Sequence, residues 1–160
     1  MHFIKAEVLF NQNNKAGALQ AYKDGIKDHM EILGVPAAKI TSYLASSSVQ
    51  QSASALTLSQ IMIQKYIALS YSPEVFNDVR RLEFCTDASG KYNESVGIYK
   101  GLKRPGAVFT IALPSEDMWP RRFTIASYSI NYNYDQVIKA DPDAADATYT
   151  AKRIWWDVKK

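Results

Sequence analysis

The stretch LQAYKDGIKDHMEIL, residues 19–33, decides the fold class of this chain. Apolar side chains recur in it every three or four positions, which is the spacing of one face of an α-helix. They are Leu19, Tyr22, Ile26, Met30 (or its neighbour His29) and Leu33. Gly34 and Pro36 follow this run, as is typical just beyond a helix end. The sequence therefore predicts a helix over about residues 16–33.

The same kind of evidence predicts helices through the rest of the first 82 residues. Thr57 and Gln60 have the spacing of a capping box. The helix after them is apolar on most sides, which indicates a central position. Ser72, Pro73 and Glu74 are typical of a helix start. The predicted helices cover about residues 3–11, 16–33, 37–45, 58–70 and 73–82, with polar segments at 11–14 and 46–54.

Residues 83–160 differ in composition, because they hold 12 of the 19 aromatic residues. One strand is predicted over residues 107–113, and one short helix after Tyr134; the remainder is predicted to be loops. Trp155 and Trp156 are expected to anchor the C-terminus by packing. The expected fold is thus mainly α: a helical part, residues 1–82, packed against an irregular, aromatic-rich part with little β structure.

Several rings in the second part occur in loop-like sequence: Tyr92, Tyr99, Trp119, Tyr128, Tyr132 and Tyr134. Flat amphipathic rings suit sugars, because they stack on the C–H face while a hydroxyl or indole N–H meets the polar rim. Aromatic residues also fill the core of a loop-rich domain, so both interpretations stay open. The ligand contacts that we predict are Tyr92, Tyr99, Trp119 and Tyr128.

No constellation for bond chemistry emerges from the 160 residues. The only histidines are His2 and His29, and Cys85 is the only cysteine, so neither a zinc site nor an internal disulfide is expected. The acidic run at residues 141–146 lacks the glycine and glutamate of a calcium loop. A net charge of +3 with scattered basic pairs does not indicate nucleic-acid binding. We therefore expect no enzyme activity, metal or cofactor.

Four short motifs together resemble the C-terminal part of the SusD/RagB family. They are QKYIAL at residues 64–69, PEVFNDVRR at 73–81, PRRF at 120–123 and WWD at 155–157. The small and large residues Ala6, Leu9, Ala18, Tyr22 and Gly25 are also placed as in a tetratricopeptide helix pair, here over residues 3–33. The similarity covers most of the chain. We therefore predict that residues 1–160 form a single SusD-like C-terminal region.

The resemblance implies that the protein binds a glycan or another nutrient at the cell surface. Family members are lipid-anchored in the outer membrane and deliver ligand to a TonB-dependent, SusC-like transporter. The signature residues are expected to be structural: Gln64, Lys65, Asp78, Arg80, Arg81, Arg121, Arg122, Trp155 and Trp156. Asp78 and Arg81 are spaced to pair on a helix, and Arg80 or Arg81 is expected to clamp groups of the aromatic part.

Family members are also about three times as long and begin with a lipoprotein signal, which this chain lacks. We therefore expect a C-terminal fragment, whose uncovered apolar helix faces promote self-association of the isolated chain. The alternative is a stand-alone tetratricopeptide-like module that binds a peptide or protein partner.

Overall fold

The structure, a computed structural model, describes residues 1–103 and 111–157. Seven α-helices and very little β structure occur in this part of the chain, so the predicted mainly α class is confirmed. The chain divides into two compact units. The helical unit comprises Met1–Leu82 with Ile98–Lys100, and the C-terminal unit comprises Glu83–Gly97 with the described residues of Gly101–Lys160.

The helical unit contains five helices, and their positions agree with the prediction to within about two residues. They are α1 (His2–Asn11), α2 (Lys15–Ile32), α3 (Ala37–Leu44), α4 (Leu58–Ala68) and α5 (Glu74–Arg81). Helix α2 packs most extensively on α1, while α4 lies against both of them and α3 contacts α2. The core consists of side chains from these contacts, among them Ala6, Ala18, Tyr22, Ile26, Ile61 and Met62.

Helices α1 and α2 form a hairpin whose close approach depends on a glycine. A three-residue turn joins them, and the Asn14 side chain caps α2 by accepting a hydrogen bond from the Gly17 amide. Gly25 faces the Phe3 ring so closely that an added Cβ would lie 2.9 Å from the ring carbon Cζ. The phenyl ring therefore occupies the space that any larger residue at position 25 would need.

The C-terminal end of α2 and the N-terminal end of α4 have the expected physical causes. Gly34 has a φ of +73°, and the amides of Gly34 and Val35 donate to the carbonyls of Glu31 and Met30. This is a Schellman C-cap. Thr57 and Gln60 make the predicted capping box. Helix α5 begins one residue later than predicted, at Glu74, so that Pro73 is the N-cap residue and no side-chain cap is present. The Glu74 amide donates to the Ser72 hydroxyl.

The apolar helix α4 is not buried along its whole length. Ile61 and Met62 are fully buried, but Ile67 is about half exposed. Ile61 and Met62 lie near the N-terminal end of α4, where the helix is covered by its neighbours. A run of apolar residues in the sequence does not show which turns of the helix are covered.

The C-terminal unit contains α6 (Ser127–Tyr132), α7 (Tyr134–Ala140) and a 3₁₀ turn, Tyr149–Ala151. Helix α7 is the short helix that was predicted to follow Tyr134, whereas the prediction of a loop over 127–132 is wrong. Six residues are too few to show a helical period, and Ser, Tyr and Asn are weak helix formers. The first turn of α6 closes because the Ala126 carbonyl accepts hydrogen bonds from the amides of Ser129 and Ile130.

Little of the predicted strand can be compared with the structure, because residues 104–110 lie outside the described part. Its last three residues, 111–113, lie in a turn and irregular chain. Elsewhere in the described residues, an isolated antiparallel bridge joins Thr86 and Tyr92. No helix of the described chain is long and apolar enough to cross a membrane.

Candidate ligand-binding site

Two of the four predicted ligand contacts are buried rings. Tyr99 belongs to the helical unit, where its ring lies 6.0 Å from that of Tyr66, and burial raises the pKa of its hydroxyl. Trp119 belongs to the C-terminal unit and stacks on Phe84, with ring centroids 4.7 Å apart. Because Tyr99 and Trp119 are only 3% and 5% exposed, neither ring face is open to a sugar as the two side chains are packed.

Tyr92 is half-buried and takes part in the packing around Trp119. Its ring centroid lies 6.2 Å from the indole, and its backbone amide donates to Asp117 Oδ1 at 2.6 Å. This hydrogen bond and the bridge to Thr86 fix the loop that carries it. Tyr92 therefore presents only part of its ring to a ligand.

Tyr128, the fourth predicted contact, lies on an exposed aromatic surface. Tyr128 and Tyr132 are four residues apart on α6, and their side chains are 74% and 77% exposed. The ring centroids are 4.7 Å apart with an interplanar angle of 41°. Asn131 is also exposed and follows Tyr128 by three residues, which places it on the same side of the helix. We call Tyr128, Asn131 and Tyr132 the tyrosine face.

Sequence reasoning named Tyr128 as a ligand contact but left Tyr132 and Asn131 out. The signal for the pair is the spacing of four residues, which is informative only once residues 127–132 are known to be helical. Exposed aromatic rings of this kind offer apolar surface with a hydroxyl at the edge. The nearby carboxamide adds both hydrogen-bond donors and an acceptor.

A separate cavity of about 340 Å³ lies within the C-terminal unit. Its lining includes rings, carboxylates and an ammonium group: Asp117, Trp119, Asp143, Asp146, Tyr149 and Lys152. Lys152 Nζ lies 2.6 Å from Asp141 Oδ1 and 2.7 Å from Asp143 Oδ2. The hydrogen bond from Lys152 lowers the pKa of Asp141, which also accepts from the Tyr149 hydroxyl.

Residues of the acidic run at 141–146 make specific contacts with basic and aromatic side chains. Asp141 anchors Lys152 and Tyr149, and the guanidinium of Arg122 lies 4.0 Å from the centroid of the Tyr149 ring. Arg122 thus makes a cation–π contact with Tyr149, and its Nη1 lies 3.7 Å from Asp141 Oδ2. Within the described residues, no three acidic, histidine or cysteine side chains are grouped so as to hold a metal ion.

The signature residues of the helical unit form a chain of ion pairs. Lys65 Nζ lies 2.6 Å from Asp78 Oδ2, and Arg81 donates to both Asp78 and Glu7. Burial alone would raise the pKa of Asp78, but the hydrogen bonds from Lys65 and Arg81 outweigh it and lower that pKa. Glu7 and Asp78, both in the helical unit, engage Arg81. The clamp of the aromatic part by Arg80 or Arg81 stays a prediction.

The two other signature residues of the helical unit are Gln64 and Arg80, and both are partly buried. The Gln64 side chain is half-buried in α4, next to Lys65. The guanidinium of Arg80 lies 5.7 Å from the centroid of the Phe76 ring, one turn earlier on α5.

The C-terminal unit has its own ion-pair network around Glu83. The buried Arg121 donates to Glu83 and to Asp157, and Arg153 donates twice to Glu83. Burial acts to raise the pKa of Glu83, yet hydrogen bonds from Arg153 and Arg121 hold it at about 2. This network ties the start of the unit to residues 121, 153 and 157, far along the chain.

The prediction that Trp155 and Trp156 anchor the C-terminus is wrong. Trp155 is 81% exposed and Trp156 is more than half exposed, and the two rings contact each other edge to face. Arg153 and Asp157 on either side of them make the contacts that attach this segment. The sequence at 153–157 does not indicate that the charged residues, and not the two tryptophans, attach this segment.

Cys85 is fully buried, as expected for a small apolar side chain, and its Sγ lies 3.1 Å from the carbonyl oxygen of Asn93.

The comparisons with known proteins give no further assignment. No protein-family model matches the chain, and neither the curated proteins nor the solved structures contain a match to it.

Proposed function

We propose that this protein binds a glycan or a related polyhydroxylated nutrient without catalysis, on the tyrosine face of α6. The observation that carries the proposal is the pair of exposed rings, Tyr128 and Tyr132, whose centroids lie 4.7 Å apart. The exposed Asn131 is on the same side of the helix by its spacing from Tyr128. Large apolar rings left in water on one short helix are unfavourable unless something covers them. A sugar covers them well, because it stacks on rings and hydrogen-bonds at their edges.

Binding without bond chemistry agrees with the state of several ionisable groups of the same unit. Asp141 and Lys152 pair with each other, and Glu83 is held by Arg121 and Arg153. Groups engaged in this way stabilise the unit and do not offer a free acid and base at a shared substrate position. The C-terminal unit therefore supplies a firm support for an exposed binding surface.

The SusD/RagB resemblance extends the proposal to the biological setting. We propose a tetratricopeptide-like arrangement for the α1–α2 hairpin, with Ala6, Ala18 and Gly25 at its close contacts. In this setting, the protein acts at the outer-membrane surface and delivers its ligand to a TonB-dependent, SusC-like transporter. The tyrosine face is then the capture surface.

Affinity electrophoresis tests the proposal on the full chain. Native gels containing a series of soluble polysaccharides should retard the wild type in at least one of them. The double variant Y128A/Y132A should migrate as it does without polysaccharide. Tyr71→Ala is the matched control, because Tyr71 is a fully exposed tyrosine of the helical unit. Equal retardation of the wild type and the double variant contradicts the proposal.

One observation favours the alternative function, a helical module that binds a peptide or protein. Ile4 and Val8 are about half exposed and lie four residues apart, on one side of α1. An amphipathic peptide helix would cover such residues. If a partner protein binds the wild type and Ile4→Ser/Val8→Ser abolishes that binding while Y128A/Y132A does not, the alternative is favoured.

A further inference from the structure

One short loop of the chain has its tip in the helical unit. The backbone amide of Gly101 donates to the Glu94 carbonyl at 2.8 Å, which closes the loop over residues 94–101. The tip, Ile98–Lys100, belongs to the helical unit, whereas the residues on both sides of it belong to the C-terminal unit. Loops of this size whose ends are close together are compact and frequently functional. We call residues 94–101 the closed loop.

Two contacts hold the tip of the closed loop along one side of α4. The Ser59 hydroxyl donates a hydrogen bond to the Ile98 carbonyl. The Tyr99 ring lies 6.0 Å from the Tyr66 ring, at an interplanar angle of 60°. Ser59 and Tyr66 are seven residues apart on α4, or about two helical turns, so the same side of the helix makes both contacts. The tip therefore lies along α4 as a bound peptide would.

Tyr99 is the buried residue of the tip, whereas Ile98 is half-buried and Lys100 is exposed. Burial, and then the nearby charge of Asp78, raise the pKa of the Tyr99 hydroxyl. The ring thus lies close to the ion pairs of the helical unit. Because aromatic side chains bury a large apolar area, the tyrosine anchors the tip.

Glycines flank the tip on both sides. Gly97 and Gly101 each have a φ of +80°, a backbone conformation that residues with a side chain rarely adopt. An added Cβ at Gly101 would have no other atom within 4 Å, so glycine serves the backbone conformation there and not a close approach. The segment that α4 holds is therefore an anchoring tyrosine between two glycine turns.

We propose that the side of α4 that carries Ser59 and Tyr66 is a peptide-binding surface, which the closed loop occupies in cis. The partner is a peptide with a tyrosine between flexible residues, bound in trans when the loop is withdrawn. A backbone carbonyl of this peptide accepts from Ser59, and its ring takes the place of Tyr99. The loop is then an internal competitor with an effective concentration on the order of 1 mM. The inference does not depend on glycan capture by the tyrosine face.

A labelled peptide tests the inference on the full chain. The probe is ESVGIYKG, the sequence of residues 94–101, labelled on its lysine and cyclised head to tail so that it keeps a closed shape. In fluorescence anisotropy titrations, Tyr99→Ala should bind it at least about tenfold more tightly than the wild type, whose own loop competes. The same cyclic peptide with alanine in place of its tyrosine should bind Tyr99→Ala at least about tenfold more weakly.

Three results overturn the inference: equal binding of the two peptides, equal binding to the two proteins, or no binding of the tyrosine peptide to Tyr99→Ala. Tyr71→Ala is the matched control, because Tyr71 is a fully exposed tyrosine of the same unit. It should bind the tyrosine peptide as weakly as the wild type does. If Tyr71→Ala binds as tightly as Tyr99→Ala, vacating the anchor position is not the cause, and the inference is overturned.

A variant of Ser59 assigns the binding to α4. Ser59→Ala, added to Tyr99→Ala, should weaken binding of the tyrosine peptide about fivefold, since it removes one hydrogen bond. Ser42→Ala in the same background, at an exposed serine of α3, is the matched control and should leave the affinity unchanged. Unchanged affinity after Ser59→Ala contradicts the assignment.

Circular dichroism shows whether Tyr99→Ala is folded. If it is not, Tyr99→Leu takes its place, because leucine keeps an apolar side chain at the anchor position. Tyr99→Leu should also bind the tyrosine peptide more tightly than the wild type does. Equal affinities of Tyr99→Leu and the wild type overturn the inference.

Discussion

The ammonium group of Lys65 and the carboxylate of Asp78 lie 2.6 Å apart, with their side chains only 11% and 13% exposed. This pair joins the last turn of α4 to α5, and Arg81 extends it to Glu7 on α1. Removing one partner of a buried ion pair strongly destabilises the folded protein, because the remaining charge stays buried without its counter-charge. The pair therefore makes the packing of three helices depend on one lysine.

Replacement of Lys65 by methionine should lower the free energy of unfolding by about 2 kcal/mol, since Asp78 keeps Arg81 but loses its closer cation. Urea denaturation measures the change. Lys27→Met is the control: Lys27 and Glu31 are both about half exposed, so the loss there should stay below about 0.5 kcal/mol. Equal effects of the two replacements would contradict the structural role of Lys65.

Glu83 makes part of the stability dependent on pH. Its pKa is lowered from the ordinary value of 4.5 to about 2, so its ion pairs contribute fully above pH 4.5. Their contribution, on the order of 3 kcal/mol, is lost as the pH falls from about 4.5 to about 2. The stabilities of the wild type and Glu83→Gln should therefore differ at neutral pH and converge in acid.

Urea denaturation at a series of pH values measures this convergence. Glu116→Gln, at an exposed glutamate of the same unit, is the control and should follow the wild type throughout. A constant difference between the wild type and Glu83→Gln at all pH values would show that the carboxylate is not held by the arginines.

Gly25→Ala tests the close approach of α1 and α2. Alanine is the better helix former by about 1 kcal/mol, but its Cβ would lie 2.9 Å from Phe3 Cζ. Overpacking of this kind costs about 1–3 kcal/mol, so the variant should be less stable than the wild type. Combining it with Phe3→Leu should recover part of the loss beyond additivity. A stabilised Gly25→Ala single variant would contradict the packing.

The exposed apolar residues of α1 predict self-association of the isolated chain. Ile4 and Val8 present adjacent apolar surface to solvent, and covering it in a second molecule is favourable. Light scattering should show a molar mass that rises with concentration, and Ile4→Ser/Val8→Ser should reduce this rise. A wild type that stays monomeric over a wide concentration range would contradict the prediction.

The helical half of the fold could be predicted from the sequence because its signals are local. The apolar period from Leu19 to Leu33 and the capping box at Thr57 each depend on residues a few positions apart. Helix α6 was missed because a helix of six residues is too short to show a period. The helix changes the interpretation of Tyr128 and Tyr132 from loop residues to neighbours on one surface.

The burial of single aromatic residues could not be predicted, because it depends on contacts between distant parts of the chain. Trp119 stacks on Phe84, 35 positions earlier in the numbering, whereas Trp155 is left in solvent. Local sequence around the two tryptophans does not distinguish them. The ion pairs of Glu83 with Arg121 and Arg153 also join distant positions, whereas Asp78 and Arg81 have a local spacing that the sequence shows.

A nuclear magnetic resonance titration with labelled tyrosine rings tests the central claim, glycan binding by the tyrosine face, most directly. The ligand is a polysaccharide fragment that retards the wild type in gels. The account predicts that the ring signals of Tyr128 and Tyr132 shift together and saturate, while that of the exposed Tyr71 stays unchanged. Binding that leaves both α6 signals in place would contradict it.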